Sequence, residues 1–492
     1  MNRKLIKREL DSIKIRIKNK IDKKDYNSAL YLSTVCSKIL YDSNYSFYDD
    51  QLESYICEIS NNMFNDYSFE YKTNKDTVLF YDSFGLDRRG LAQIYLSALC
   101  SLYKVVYVTF DDRKNSIPEI SKIISNNKGS MKFITRSSSY VQQIHELNKI
   151  VNDFYPRDFI FYSRPFDVIA PTIMHLYKGK MNRYLINLTD HAFWLGVKCI
   201  DKCIEFRDYG ASVSRDYRGI DESKIVKIPF YPLINYNQKF EGFPFEKKDS
   251  QQVLFSGGNI YKTISKDNEY YNMIRHILDS YPNIIFWYAG SGYSKDMDKL
   301  AADYKNRVYI TDERNDLFQV LCNCDFYIST YPICGGLMFQ YAASAGLVPL
   351  TLKDSQISDD FLIRQNGLNI EFDQKNELYR EMERLVIDEN YRNERSKEMK
   401  RSVITPIAFK EKIYKLLENQ NIEEVSYYYV DNKRMIDRYV DSFSNRRMCI
   451  NYVELSHIGI SLKNNLFRTI AGLSYGFVSF LKMRIIRNGG NK

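Results

Sequence analysis

The sequence has little of what usually announces a metal, redox or membrane-spanning protein. Its nine cysteines show no metal-ligand spacing: Cys322 and Cys324 form C-x-C, and Cys199 and Cys203 stand four apart. That argues against a cysteine-held metal. An odd count without a signal peptide reads instead as reduced thiols in a cytoplasm. No apolar run reaches the roughly 18 residues that cross a bilayer, so the chain is expected to be soluble or to lie on a membrane. No D-x-D stands where it would hold a metal, and Asp111-Asp112 after a strand reads as a solvated turn. Histidine is scarce, five residues in 492. The net charge of +9, read as spread along the chain, is modest at this length. It argues against a nucleic-acid partner and fits an anionic ligand or an acidic membrane surface.

What is present is ample core material. Apolar residues make up 44% of the chain and aromatics 15%, resting largely on 41 tyrosines, so 492 residues suit two or three domains. Residues 1–75 read as a helical extension, with a basic apolar run at 4–24 and helices near 25–39 and 49–59. This extension is expected to pack on the main body rather than to do chemistry.

From residue 77 the pattern changes to short apolar runs alternating with helical stretches. Strands are expected at 78–81, 104–110, 131–135, 158–163 and 182–188, the last taken as the final strand of this half. Such alternation indicates a parallel sheet covered on both faces. The loop from Gly85 to Gly90 leaves the first strand at its carboxyl end, where open α/β sheets bind ligands. Its spacing is not G-x-G-x-x-G, which argues against a dinucleotide. Arg88 and Arg89 there either hold an anion or are solvated. The strand at 182–188 runs into Asp190-His191 beside Phe193-Trp194. An imidazole at a strand end can exchange protons near neutral pH, although a lone histidine is often structural. Arg207, with Ser212, Ser214 and Arg218, forms a polar patch that lines the same cleft or closes on itself in salt bridges.

Residues 229–245 contain three prolines and read as an interdomain linker. The alternation then restarts, and four successive strand ends deliver small or polar residues. Val253-Leu254-Phe255 leads into Gly257-Gly258 with Lys262 beyond, and residues 284–288 lead into Gly290-Ser291-Gly292. Residues 308–310 lead into Thr311, and residues 325–329 lead into Gly335-Gly336-Leu337. A small-residue helix follows that last turn, and Gly346 closes it. Bare backbone amides at a helix start make a phosphate site. Gly336 reads as part of a surface turn, replaceable without loss of the fold.

This order resembles a GT-B glycosyltransferase. The shared pattern is a glycine loop after the first strand, a linker, a Gly-Gly turn with a basic residue, and a G-x-G turn. It ends in a glycine-rich segment before a small-residue helix closing with A-x-G-x-P, here Ala345-Gly346-Leu347-Val348-Pro349. The resemblance covers about residues 77–415. It implies an α/β fold of two Rossmann-like, doubly wound domains facing across a cleft. The expected bounds are 76–240 for an acceptor domain, 250–415 for a nucleotide-sugar domain and 416–492 for a helical C-terminal extension. It implies that Gly257, Gly258, Lys262, Gly290, Gly292, Thr311, Gly335, Gly336 and Leu337 hold the donor. Gly85, Arg88, Arg89 and Arg207 would line the acceptor side, and His191 or Asp190 would act on the acceptor or contact the donor sugar. No cofactor beyond the nucleotide-diphosphate sugar and no metal is expected.

Two departures stand out. Retaining members typified by glycogen and sucrose synthases carry two glutamates eight positions apart, where this chain has Ile333 and Tyr341. Donor binding through backbone amides survives that loss, but the sugar contact and the stereochemical course are left open. Residues 458–486 mix apolar residues with Lys463, Arg468, Lys482, Arg484 and Arg487, a basic amphipathic pattern that lies on anionic lipid or docks on the body. The expected function is transfer of a sugar to a glycan, lipid-linked or protein acceptor in cell-surface polysaccharide synthesis, in the cytoplasm or on the inner membrane face. The alternative is a non-catalytic GT-B partner that binds acceptor and stabilises an active transferase.

Overall fold

The computed structural model describes residues 3–65, 70–87, 91–265, 267–353, 360–363, 367–422, 425–431, 458–464, 466, 470, 473 and 474. Two compact units divide the chain: residues 1–228 with 412–492, and residues 229–411. Residues 416–492, expected as a C-terminal extension, thus fall with the first unit, as do residues 412–415.

The first unit is built on seven parallel strands in the order β3-β2-β1-β4-β5-β6-β7. These are β1 Asn74–Asp82, β2 Lys104–Phe110, β3 Ser130–Ile134, β4 Pro156–Tyr162, β5 Asn182–Ile186, β6 Lys202–Glu205 and β7 Ile225–Lys227. The inner strands are buried on both faces, as their continuous apolar runs require. Winding reverses between β1 and β4, which makes that position the topological switch point. Residues 182–188 are therefore not the last strand of this half. β6 and β7 follow, four and three residues long, each with only two consecutive apolar residues beside a charged one.

Three helices form a layer in this unit: α1 Arg3–Asp22, α2 Tyr26–Ser43 and α3 Asp50–Met63. Asp25 and Asp49 cap α2 and α3 by accepting from the Ser28 and Leu52 amides. α1 buries Ile6, Leu10, Ile13, Ile17 and Ile21, a helical stripe, in one core with Leu79 and Val106 of the sheet. Each such side chain is worth about 1.5–3 kcal/mol when fully buried. The extension is therefore part of the unit rather than an appendage. Farther along the chain, Glu418 accepts from Tyr103 Oη at 2.8 Å and from Arg157 Nη1 at 3.0 Å.

The second unit has six parallel strands in the order β10-β9-β8-β11-β12-β13. They are β8 Gln252–Asn259, β9 Ile284–Ser291, β10 Val308–Thr311, β11 Phe326–Ile328, β12 Pro349–Leu352 and β13 Glu371–Phe372. Winding reverses between β8 and β11. Residues 229–245, expected as a linker, lie within this unit, and Phe243 and Phe245 pack edge-on against Trp287. Among the described residues no helix is long and apolar enough to cross a membrane.

A buried carboxyl ties α3 to the connection between β5 and β6. Glu53 is 1% exposed and accepts from the amides of Gly196 at 2.7 Å, Val197 at 3.1 Å and Lys198 at 3.3 Å. Burial pushes its carboxyl up to about 7 against the pull of those donors. Glu53→Ala orphans three amides and should cost about 2–4 kcal/mol, a lowered melting temperature by scanning calorimetry. Melting at the parent temperature would refute the tie. A pH effect follows as well. The folded chain holds a proton that the unfolded chain releases, so this site's contribution is full below about pH 4.5 and is lost as pH rises through about 7. Glu53→Gln cannot ionise and should flatten that part of the stability profile.

Candidate functional site

Two clusters collect at carboxyl ends of strands, one in each unit. In the second unit β8 and β9 run in register to their tips, pairing Gly257 with Ala289 and Gly258 with Gly290. A Cβ at Gly257 would lie 2.5 Å from the Ala289 carbonyl, and one at Gly290 only 1.8 Å from that of Gly258. Glycine here is a packing requirement. Gly258 differs: its φ is +124° and open space surrounds its missing side chain. Gly292, at φ +104°, lies against Ile260.

After β8 the chain turns through Ile260–Thr263, with Asn259 Oδ1 accepting from the Tyr261 amide. The turn carries half-buried Lys262 to the loop after β11, where the Lys262 carbonyl accepts from the Ile333 amide at 3.3 Å. Its ammonium lies 3.5 Å from where a Gly335 Cβ would be. Gly335 caps the helix Gly336–Ala345 without a side-chain hydrogen bond. A cation and the positive end of a helix therefore share one spot, at the β8/β11 switch point. Gln340 Nε2 donates to the carbonyls of Phe230 and Phe361, and Tyr341 Oη to that of Leu233 at 2.6 Å. These bonds fix the helix.

The structure corrects one expectation here. Gly336 does not sit on a replaceable surface turn, because a Cβ would lie 2.6 Å from the Phe361 ring. A bulky residue there would disturb packing as well as any ligand. Leu337 is half-buried in the first helical turn. Thr311 Oγ1 accepts from Trp287 Nε1 at 3.0 Å, so its hydroxyl helps to hold the sheet edge.

In the first unit β5 leads to Asn187, whose Oδ1 accepts from the Thr189 amide. Fully buried Arg218 then gathers the loop: one terminal nitrogen donates to the carbonyls of Thr189 at 3.0 Å, Asp190 at 3.0 Å and Ala192 at 2.7 Å. Its guanidinium lies over the rings of Phe47 and Trp194. Asp190, 1% exposed, accepts from Arg207 Nε at 2.5 Å and faces His191 Nδ1 at 3.2 Å. Burial by itself would raise the Asp190 carboxyl. The Arg207 charge and the hydrogen bonds from His191 and Arg207 outweigh it and hold the group well below the usual carboxylate range. The His191 side chain is 36% exposed, and Asn44 Nδ2 donates to its carbonyl. A permanent carboxylate behind a partly exposed imidazole is an arrangement that can accept a proton at the outer nitrogen.

Arg207, expected on the acceptor side, is instead buried and bonded to Asp190. Gly85 sits in a tight turn at φ +57°, its amide donating to Asp82 Oδ1. A Cβ there would meet Arg113 and Thr109. Arg88 and Arg89 lie outside the described residues. Asp111 and Asp112 answer to Arg136, and the described residues contain no cluster of three metal-ligating side chains. Sequence reasoning left Arg218 in a general polar patch and passed over Asn44 and buried Glu205, whose Oε1 accepts from Asn187 Nδ2 at 2.8 Å and from Ser214 Oγ. Only the patch's proximity to Asp190-His191 hinted at the network.

No family model matches the chain, and no curated protein matches it. Similar solved structures include a mutant O-GlcNAc transferase of Thermobaculum terrenum, at 13% identity and a TM-score of 0.51, covering 89% of this chain and 82% of that one. A glycosyltransferase of Rickettsia africae is similar at 10% identity and 0.53, covering 71% and 100%. A Neisseria meningitidis UDP-GlcNAc 2-epimerase bound to UDP-GlcNAc has 12% identity and 0.44, over 70% and 100%. At these identities the likeness speaks for the fold, which the two reversing parallel sheets state independently. The chain has the GT-B fold, with two Rossmann-like α/β units in one polypeptide.

Proposed function

We propose that the chain is a glycosyltransferase that takes a sugar from a nucleoside-diphosphate donor to a glycan, lipid-linked or protein acceptor, in synthesis of a cell-surface polysaccharide. The observation that carries this reading is Lys262 beside the helix start at Gly335, at the switch point of the second sheet. Departure of the donor's diphosphate moves negative charge onto its oxygens, and a fixed cation with oriented amides stabilises charge where it develops. Two similar structures with TM-scores above 0.5 are, by name, a glycosyltransferase and an O-GlcNAc transferase.

His191 supplies the acceptor chemistry in this reading. An acceptor hydroxyl oxygen bonds to the anomeric carbon as the carbon–oxygen bond to the diphosphate breaks, and its proton passes to His191 Nε2. Asp190 holds Nδ1–H and stays ionised, while Arg207 and Arg218 fix Asp190 and the loop backbone. Those three are positioning residues.

One observation favours a second reading, a non-catalytic partner that binds acceptor and stabilises an active transferase. Ile333 and Tyr341 stand where retaining relatives carry glutamates, and the Tyr341 hydroxyl is committed to the Leu233 carbonyl. A saturation-transfer NMR screen of nucleotide sugars, followed by a donor-hydrolysis assay, separates the two. Donor contact with turnover supports the transferase. Absence of contact with every nucleotide sugar would sink it.

At the donor cradle, Lys262→Ala should weaken nucleoside-diphosphate binding about tenfold or more, the scale of a lost charge-assisted bond. Gly335→Ala should do likewise with an intact fold, since its methyl makes only ordinary contacts at 3.5 Å. Calorimetric affinities equal to the parent's in both folded variants would remove the diphosphate from this place.

For the imidazole, His191→Ala should lose roughly 10²-fold in rate with little change in nucleotide affinity or melting, because the ring is partly exposed. Full activity per folded molecule would assign His191 a structural role. Asp190→Asn should lower the rate and shift its pH profile, which a purely structural Asp190 would not do.

A further inference from the structure

The positive charge is concentrated rather than spread along the chain. Residues 3–24 hold ten Lys or Arg against three acids, a net +7, and residues 455–492 hold six against none, a net +6. With +9 for the whole chain, the other 432 residues carry a net −4. Charge segregated in this way marks an electrostatic face.

The first unit brings the two basic stretches together. The helix Ile458–Asn464 packs against α2, Lys463 Nζ reaches Asp25 Oδ2 at 3.3 Å, and Arg16 of α1 donates to the Asn464 carbonyl. Docked there, the segment still turns apolar side chains outward. Leu462 is 38% exposed, Leu466 52% and Ile470 50%, each four residues from the next, and Ile15 of α1 is 63% exposed. Four-residue spacing places the three leucine and isoleucine side chains on one helical face. Lys7, Arg8, Lys23 and Lys24 are also exposed on or just after α1. Arg468, Lys482, Arg484 and Arg487 lie outside the described residues.

We propose that this face, α1 with the helix Ile458–Asn464 and Leu466 and Ile470 beyond it, docks on an anionic lipid bilayer. Apolar side chains left in water gain by entering the interfacial region, and the surrounding cations meet headgroup phosphates. Docking on the body and lying on lipid, the two alternatives for the basic amphipathic pattern, are then compatible. A nucleic acid would use the cations but leave the apolar row without a partner, so lipid accounts for more of the surface. The proposal goes beyond sugar transfer and does not depend on it.

The test is sedimentation of the full chain with vesicles of phosphatidylcholine alone, or of phosphatidylcholine with about a third phosphatidylglycerol. Binding is expected only to the anionic vesicles, and it should fall steeply as salt rises. Lys7→Glu with Arg8→Glu should weaken the partition by roughly fivefold per site or more. Leu466→Glu with Ile470→Glu should weaken it about tenfold or more while melting is unchanged, because both side chains are exposed. Equal binding to neutral vesicles, or binding to neither, would overturn the proposal. So would tight binding of single-stranded RNA that survives Leu466→Glu with Ile470→Glu, or self-association removed by that pair with vesicle binding intact. No nucleotide sugar enters the assay, so its failure leaves the transferase reading untouched.

Discussion

A guanidinium without water must find its acceptors in the protein, and Arg218 dictates much of the first unit on that account. It is fully buried between two aromatic rings, and a single nitrogen answers three backbone carbonyls of the loop after β5. Those bonds fix the path of residues 189–192, and only then is Asp190 placed for Arg207 and His191. Gly210 is part of the same constraint: a Cβ there would lie 2.4 Å from Glu205 Oε2 and 2.9 Å from Asp190 Cβ. Removing one member of such a buried set leaves the others uncompensated, so each is costly to lose. The imidazole itself stays partly exposed, and the rigidity lies beneath it.

The second unit shapes its strand ends by the opposite means. Among the described residues, side chains that are missing shape the Gly258–Lys262–Gly335 region. They are missing at Gly257 and Gly290, where two strand tips touch, and at Gly258, where the backbone is left open. Backbone amides are positioned by secondary structure alone, which suits a ligand whose charge is spread over many oxygens. Lys262 adds a formal positive charge close to the helix start.

Local patterns in the sequence carried the architecture further than the site. Alternating apolar runs located β1, β2, β4 and β8 closely, because strands buried on both faces have no polar positions to blur them. β6, β7 and β13 escaped because each has only one or two consecutive apolar residues, whereas the equally short β10 and β11 have three. Asp190-His191 was visible because the two are adjacent. Arg218 was visible only as a patch member, since its acceptors lie 26 to 29 residues away. Glu53 was invisible, with partners more than 140 residues distant. Gly336 was misjudged as a free turn because nothing local to it announces the Phe361 ring.

The division of the chain has a consequence for how the polypeptide is made. The first unit consists of residues 1–228 and 412–492, with the second unit wholly between them. A ribosome therefore delivers every residue of the inner unit before the outer one receives its last part. Domains fold as units during synthesis, earliest first. Here the earliest to begin is the last to be complete. Until residue 418 emerges, Tyr103 and Arg157 lack the carboxylate they share in the finished protein. Nascent chains halted near residue 411 would hold a complete second unit beside an unfinished first one.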